Sequence, residues 1–175
     1  MDVPAGHRVT DSEDLEPAVR VAYRSLRLAA AACRCSAARA RALGVFTIPV
    51  RVYWEDTDAG GVVYYASYLK FLERARSEWL RALGIDQVAL LRQERLQFVV
   101  VEANIRYHRP ARFDDELVVS VKLEELRGAS VVLGQDIHRA RGEGDHLISA
   151  TIRAACLASD SLRPRPLPKA LTAQI

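Results

Sequence analysis

At 175 residues the chain suits one domain with a sizeable core and a short appendage. Half the residues are apolar, 27% are charged and the formal net charge is +3, ordinary values for a globular protein and too little positive charge to imply nucleic acid. Three cysteines (Cys33, Cys35, Cys156) and four histidines (His7, His108, His138, His146) follow no disulfide or metal-ligand spacing, so free thiols in a reducing cytoplasm are expected.

Residues 1–46 read as an N-terminal extension, separate from a domain over 47–175. The first 17 residues are polar and mildly acidic, a composition of disorder. Residues 18–43 are rich in Ala and Arg, both strong helix formers, and contain no acid. A loosely packed extension is favoured there, because alanine buries little area. A basic helix on an anionic membrane surface, a nucleic-acid arm or a targeting segment are the alternatives.

From Thr47 the periodicities sharpen. Ile48, Val50, Val52 and Trp54 alternate with polar residues, predicting a half-buried strand with Trp54 in the core. A helix of about 18 residues is expected from Tyr65 to Leu83, stopped by Gly84. Its apolar stripe is Tyr68, Leu72, Ala75, Trp79 and Ala82, widened by Leu69, Leu80 and Leu83. A short helix is expected around Gln87–Gln93. Four strands follow. In 96–108 the shared face is Val99, Val101, Ala103, Ile105 and Tyr107; in 116–124 it is Leu117, Val119, Val121 and Leu123. In 130–139 it is Val131, Leu133 and Ile137, and in 146–158 Ile148, Ala150, Ile152, Ala154 and Cys156. Pro164, Pro166 and Pro168 end regular structure. One strand, one long helix and four consecutive strands predict an α+β fold, an antiparallel sheet wrapped round the only helix able to cover it. Exposed sheet edges call for pairing with a second copy.

The stretch EDTDAGGVVYYASYLKFLERAR, residues 55–76, runs from an acidic glycine loop into the long helix. The start of a helix carries unpaired N–H groups and a partial positive charge. A thioester carbonyl placed there would be polarised, and a carboxylate on the preceding loop could attack it or activate a water. Gly60 and Gly61 would let the chain turn and substrate approach. Such chemistry requires no metal or other cofactor. The plainer reading makes Asp56 and Asp58 turn-formers near a helix dipole, and spacing alone leaves both open. A calcium loop is excluded, since the third acidic ligand and distal Glu are missing.

VRVYWEDTDAGGVVYYASYLKFLERARSEWLRALGI resembles the opening of the 4-hydroxybenzoyl-CoA thioesterase family. Within it, the chain is most similar to the acyl-CoA thioesterases associated with the Tol–Pal system of Gram-negative envelopes. FVVVEANIRYHRPARFDDEL (98–117), LRGASVV (126–132) and RPRPLPKAL (163–171) extend the resemblance over residues 48–171. It implies a hotdog fold with five antiparallel strands around one central helix, and homodimers or homotetramers with active sites at the dimer interface. It implies an acyl-CoA substrate, with Asp58 as the catalytic carboxylate and the backbone N–H of Tyr65 polarising the thioester. Gly61, Arg127, Ser130, Arg163 and Arg165 fall at substrate positions, the arginines where relatives meet coenzyme A phosphates.

Two departures stand out. Tyr65 occupies a position where the Tol–Pal branch usually has histidine, although a backbone N–H survives that exchange. The extension has no counterpart in the pattern. A non-catalytic acyl-CoA-binding or scaffold module is the alternative, with membrane contact through 18–43 and no nucleic acid expected. A hotdog dehydratase is disfavoured, because 66–83 contains no histidine. The bland expectations are that Tyr64 and Tyr68 pack in the core or an interface, that Trp79 is core, and that His108 and His138 have ordinary strand partners.

Overall fold

The structure, a computed structural model, describes residues 44–140 and 145–173. The extension up to residue 43, read as disordered or as an Ala- and Arg-rich helix, lies outside the described residues with Cys33, Cys35 and His7, as does the loop 141–144.

Five strands form one antiparallel sheet: β1 (Val45–Arg51), β2 (Leu96–Tyr107), β3 (Glu116–Arg127), β4 (Ser130–Arg139) and β5 (His146–Ala158). Their spatial order is β1-β3-β4-β5-β2. The sheet packs against α1 (Ser67–Ala82), a 16-residue helix closed by Gly84 at φ +78°. A short α2 (Gln87–Ala89) runs into one wide turn over Leu90–Glu94, and α3 (Lys169–Thr172) follows the prolines of the tail. That last turn is unanticipated, and it buries Leu171 completely.

The helix stripe was expected to widen toward Leu69. It widens toward Phe71 instead: Tyr68, Phe71, Leu72, Ala75, Trp79 and Leu80 are buried, whereas Leu69 is exposed. Each large side chain so buried contributes about 1.5–3 kcal/mol. They meet Leu117, Val119 and Val121 of β3, Val131, Leu133 and Ile137 of β4, and Ile148, Ile152 and Cys156 of β5. The expected alternation of these three strands is therefore observed.

One polar side chain sits in this layer. Gln135 is buried; its Nε2 donates to the carbonyls of Leu72 (3.1 Å) and Ser120 (3.4 Å), and its Oε1 accepts from Arg76 (2.8 Å). An unpaired buried amide would cost about 1–3 kcal/mol, so the Arg76 contact is structural. Burial also lowers the pKa of that guanidinium.

Two expectations fail. Trp54 is 72% exposed, because the chain leaves β1 at Arg51 and forms a single 3₁₀ turn over Trp54–Asp56; its ring stacks on Phe113 at 4.0 Å. In β2 the expected face breaks at Val101. The register to β5 shifts between Val100 and Glu102, so Phe98 and Val100 lie opposite the buried Cys156 and Ala154 while Val99 faces away. A bulge inserts one residue, and one residue exchanges the two faces of a strand. Ala103, Ile105 and Tyr107 keep the expected side.

Candidate active site

The loop between the 3₁₀ turn and α1 is organised by Asp56. Its side chain is 1% exposed; Oδ2 accepts from the Tyr53 amide (3.0 Å), and its carbonyl accepts from the Tyr64 amide (2.8 Å). One buried residue thus fastens both sides of the loop. Its Oδ1 is buried without a hydrogen-bond partner among the described residues.

Asp58 sits two residues on, at the exposed tip. Oδ1 accepts from the Gly60 amide (2.8 Å), the carbonyl accepts from Gly61 (3.0 Å), and the amide donates to Val62 (3.0 Å). Thr57 bridges Val63 across the loop, which brings the backbone at Asp58 alongside the segment that enters α1. Gly61 has φ +71°, where any side chain strains the backbone. A Cβ on Gly60 would lie 3.0 Å from Asp58 Oδ1.

No side chain caps α1, whose N-cap is Ala66. Tyr64 and Ser67 donate their amides within the chain, whereas the Tyr65 amide finds no acceptor among the described residues. Tyr65 stands just before the N-cap, two residues ahead of the first residue of α1; an unpaired amide beside the positive end of a helix dipole suits a developing oxyanion. The segment is clasped from the sheet side. The Tyr107 hydroxyl donates to the Tyr65 carbonyl (3.1 Å), the buried Tyr68 hydroxyl accepts from the Ala111 amide (2.8 Å), and the Val63 amide donates to the Ala111 carbonyl (2.8 Å). Burial raises the pKa of both Tyr68 and Tyr107. Tyr64 is exposed and packs on Tyr65 at 4.5 Å. A hydrogen bond with Tyr65, and to a lesser degree the negative charge of Asp58, keep its phenol above the usual range. Tyr68 and Trp79 are core, as expected, and Tyr64 is exposed in the single chain.

The other expected substrate residues gather elsewhere. Arg127 and Ser130 face each other across the β3–β4 turn, and the Arg127 guanidinium pairs with Glu125 at 2.6 Å. The tail joins them: the Arg163 carbonyl accepts from Ala158 (2.9 Å), the Arg165 amide donates to Cys156 (2.9 Å), and Leu167 donates to Gly128 (3.2 Å). Asp58, Gly61 and Tyr65 lie by the opposite end of the sheet, where Arg51 pairs with Glu116 and Tyr107 closes β2. The 12-residue β3 runs between the two ends, a strand about 36 Å long end to end at 3.3 Å per residue. Within one chain the structure gathers the arginines and Ser130 at the β3–β4 turn and leaves Asp58, Gly61 and Tyr65 on the loop before α1, by the other end of the sheet.

Three contributions escaped the sequence reading: the fastening by Asp56, the Tyr107 hydrogen bond and the Ala111 clasp. Only Asp56 carried a signal, as the first acid of Asp-x-Asp. Among the described residues no helix is long and apolar enough to cross a membrane.

The profile of the thioesterase superfamily matches residues 60–145. The acyl-CoA thioester hydrolase YbgC of Escherichia coli is 45% identical over 130 residues, 74% of this chain and 95% of that protein. A 1,4-dihydroxy-2-naphthoyl-CoA thioesterase from Synechocystis superposes with a TM-score of 0.70 at 26% identity, covering 75% of this chain and 96% of the other. The 4-hydroxybenzoyl-CoA thioesterase of a Pseudomonas species also gives 0.70, at 21% identity over 75% of this chain and 99% of its own, a likeness of fold.

Proposed function

The chain belongs to the thioesterase superfamily, and from that premise we propose that it hydrolyses acyl-CoA thioesters to a carboxylic acid and free coenzyme A. The carrying observation is the pairing of an exposed loop carboxylate, Asp58, with the uncapped start of α1, where the Tyr65 amide is open. The thioester carbonyl is read as accepting from that amide. Asp58 then takes a proton from the attacking water or itself attacks the carbonyl carbon. Either way the C–S bond breaks, the electron pair leaves on sulfur, and water supplies the oxygen of the acid and the proton of the thiol. Oxyanion stabilisation of this kind is worth about 10²–10³ in rate per donor.

We further propose that a second copy completes the site. The arginine group is too far from Asp58 in its own chain to hold the phosphates of the same coenzyme A molecule. The sheet edges favour one geometry. β1 carries Pro49, which guards its edge, whereas the 12-residue β2 is an open edge with Val99, Val100, Val101 and Tyr107 exposed. Antiparallel pairing of two β2 edges would lay the Leu96 end of one copy, next to Arg163 and Arg165, beside the Tyr107 end of the other. Cytoplasmic placement, a Tol–Pal connection and membrane contact through 18–43 are carried by the resemblance and by that basic segment alone.

The reading is tested by titrating released thiol over short, long and aromatic acyl-CoAs. Turnover of at least one class is expected. Stabilisation by acyl-CoA without any thiol release would mark a binding module instead.

A further inference from the structure

The imidazoles that look scattered in the sequence come together at one corner of the sheet. Alternation puts Asp136 and His138 on the face of β4 opposite Gln135 and Ile137, which are buried toward α1. The register then skips Leu147, so that His138 stands opposite His146. The ring of His146 lies between two others, stacked on His138 at 4.6 Å and 13°, and tilted against His108 at 4.6 Å. His146 Nε2 is 2.9 Å from Asp136 Oδ1 and 2.8 Å from the Ile148 carbonyl. His108 Nε2 is 2.9 Å from Ser149 Oγ.

We propose that Asp136, His138 and His146 form a binding site for a divalent transition-metal ion of the zinc, cobalt or nickel class, independent of the thioesterase centre. Two imidazoles and one carboxylate are the donors those ions prefer over the hard oxygen ligands of calcium or magnesium. The candidate donor atoms of the three residues all lie within 4.8 Å of one another. In a tetrahedral site, bonds of about 2.0–2.1 Å put neighbouring donors roughly 3.3–3.4 Å apart. Closing the set therefore draws the widest pair in by up to about 1.4 Å and turns His138 and His146 out of their stacked arrangement. Both acceptors lie on one nitrogen of His146, so ligation through Nδ1 keeps the Ile148 carbonyl as the acceptor that orients the ring, whereas ligation through Nε2 replaces that bond. His138 is 5% exposed, but His146 and Asp136 keep 39% and 36% of their side chains open, which gives an ion an entry path.

A bound ion would tie β4 to β5 at the corner where His108 leaves β2 for the strap that ends at Ala111 and clasps α1. Its effect is expected on stability, as for any ligand that binds only the folded state. The test uses the full chain. Thermal unfolding is followed with Zn²⁺, Ni²⁺ and Co²⁺ against Mg²⁺, and cobalt is also followed by its visible absorption. A midpoint that climbs with transition-metal concentration but not with Mg²⁺ is expected, as is a cobalt spectrum free of thiolate charge-transfer bands. His146→Gln and Asp136→Asn, each folded by circular dichroism, should lose both signals. No shift in the parent protein, an undiminished shift in both variants, or a thiolate spectrum pointing to the cysteines would overturn the assignment.

Discussion

The hydroxyl of Tyr107 donates to the carbonyl of Tyr65 at 3.1 Å. The last residue of β2 thereby holds the segment that enters α1, where the Tyr65 amide is proposed to polarise the thioester carbonyl. A neutral hydrogen bond of this kind contributes about 0.5–1.5 kcal/mol. Tyr107→Phe should lower kcat several-fold while KM stays close to that of the parent, because the contact positions the amide without touching coenzyme A. Initial rates over a range of substrate concentrations check this. A loss of stability with kcat unchanged would reduce the contact to packing.

The two acids of Asp-x-Asp should separate by readout. Asp56→Ala removes the acceptor that holds the Tyr53 amide, and unfolding free energy should fall by about 1–3 kcal/mol. Asp58→Asn can keep the loop's turn and should change stability by under about 0.5 kcal/mol, as surface substitutions usually do. Urea unfolding of both variants measures it. Equal losses would show that Asp58 is as much a structural residue as Asp56.

The glycines make a second contrast. Gly61→Ala puts a side chain at φ +71°, a strain of about 1–2 kcal/mol, and should lower the urea midpoint. Gly60→Ala brings a Cβ against Asp58 Oδ1, so its cost should appear in kcat, with a smaller change in stability. Rates and unfolding midpoints of the two proteins, measured side by side, decide the matter.

If the phosphates of coenzyme A meet the far arginines, Arg163→Ala with Arg165→Ala should raise KM several-fold, flatten its salt dependence and leave kcat nearly intact. The same pair tests the shared site. Asp58→Asn protomers mixed and reassembled with the double-arginine variant should recover part of the parent's kcat/KM, because one mixed site then holds both intact groups. Mixtures no faster than the separate proteins would place the whole site in one chain.

Legibility in the sequence tracked how simply each segment meets solvent and core. β3, β4 and β5 each turn one face to α1, so a period of two is written plainly in Leu117–Leu123 and Ile148–Cys156. β2 hid its geometry because the bulge at Val101 reverses the faces midway, leaving a run of three valines that fits either side. Trp54 misled for a related reason: a strand pattern says nothing of where the chain stops pairing. The glycine loop before α1 was readable from Asp58, Gly60 and Gly61, whereas spacing alone did not separate a reactive carboxylate from a turn-former. The distance between Asp58 and the arginines was not, since it depends on the length of β3. The imidazole corner was invisible in spacing, because strand pairing rather than sequence proximity brings residues 108, 138 and 146 together.

Thiol release by Asp58→Asn, compared with the parent on whichever acyl-CoA the parent hydrolyses best, goes to the centre of the mechanism. With both proteins equally folded, kcat/KM should drop by at least about 10³-fold, the loss expected for a carboxylate that acts on the reacting carbonyl. A variant that hydrolyses the thioester as fast as the parent would contradict it.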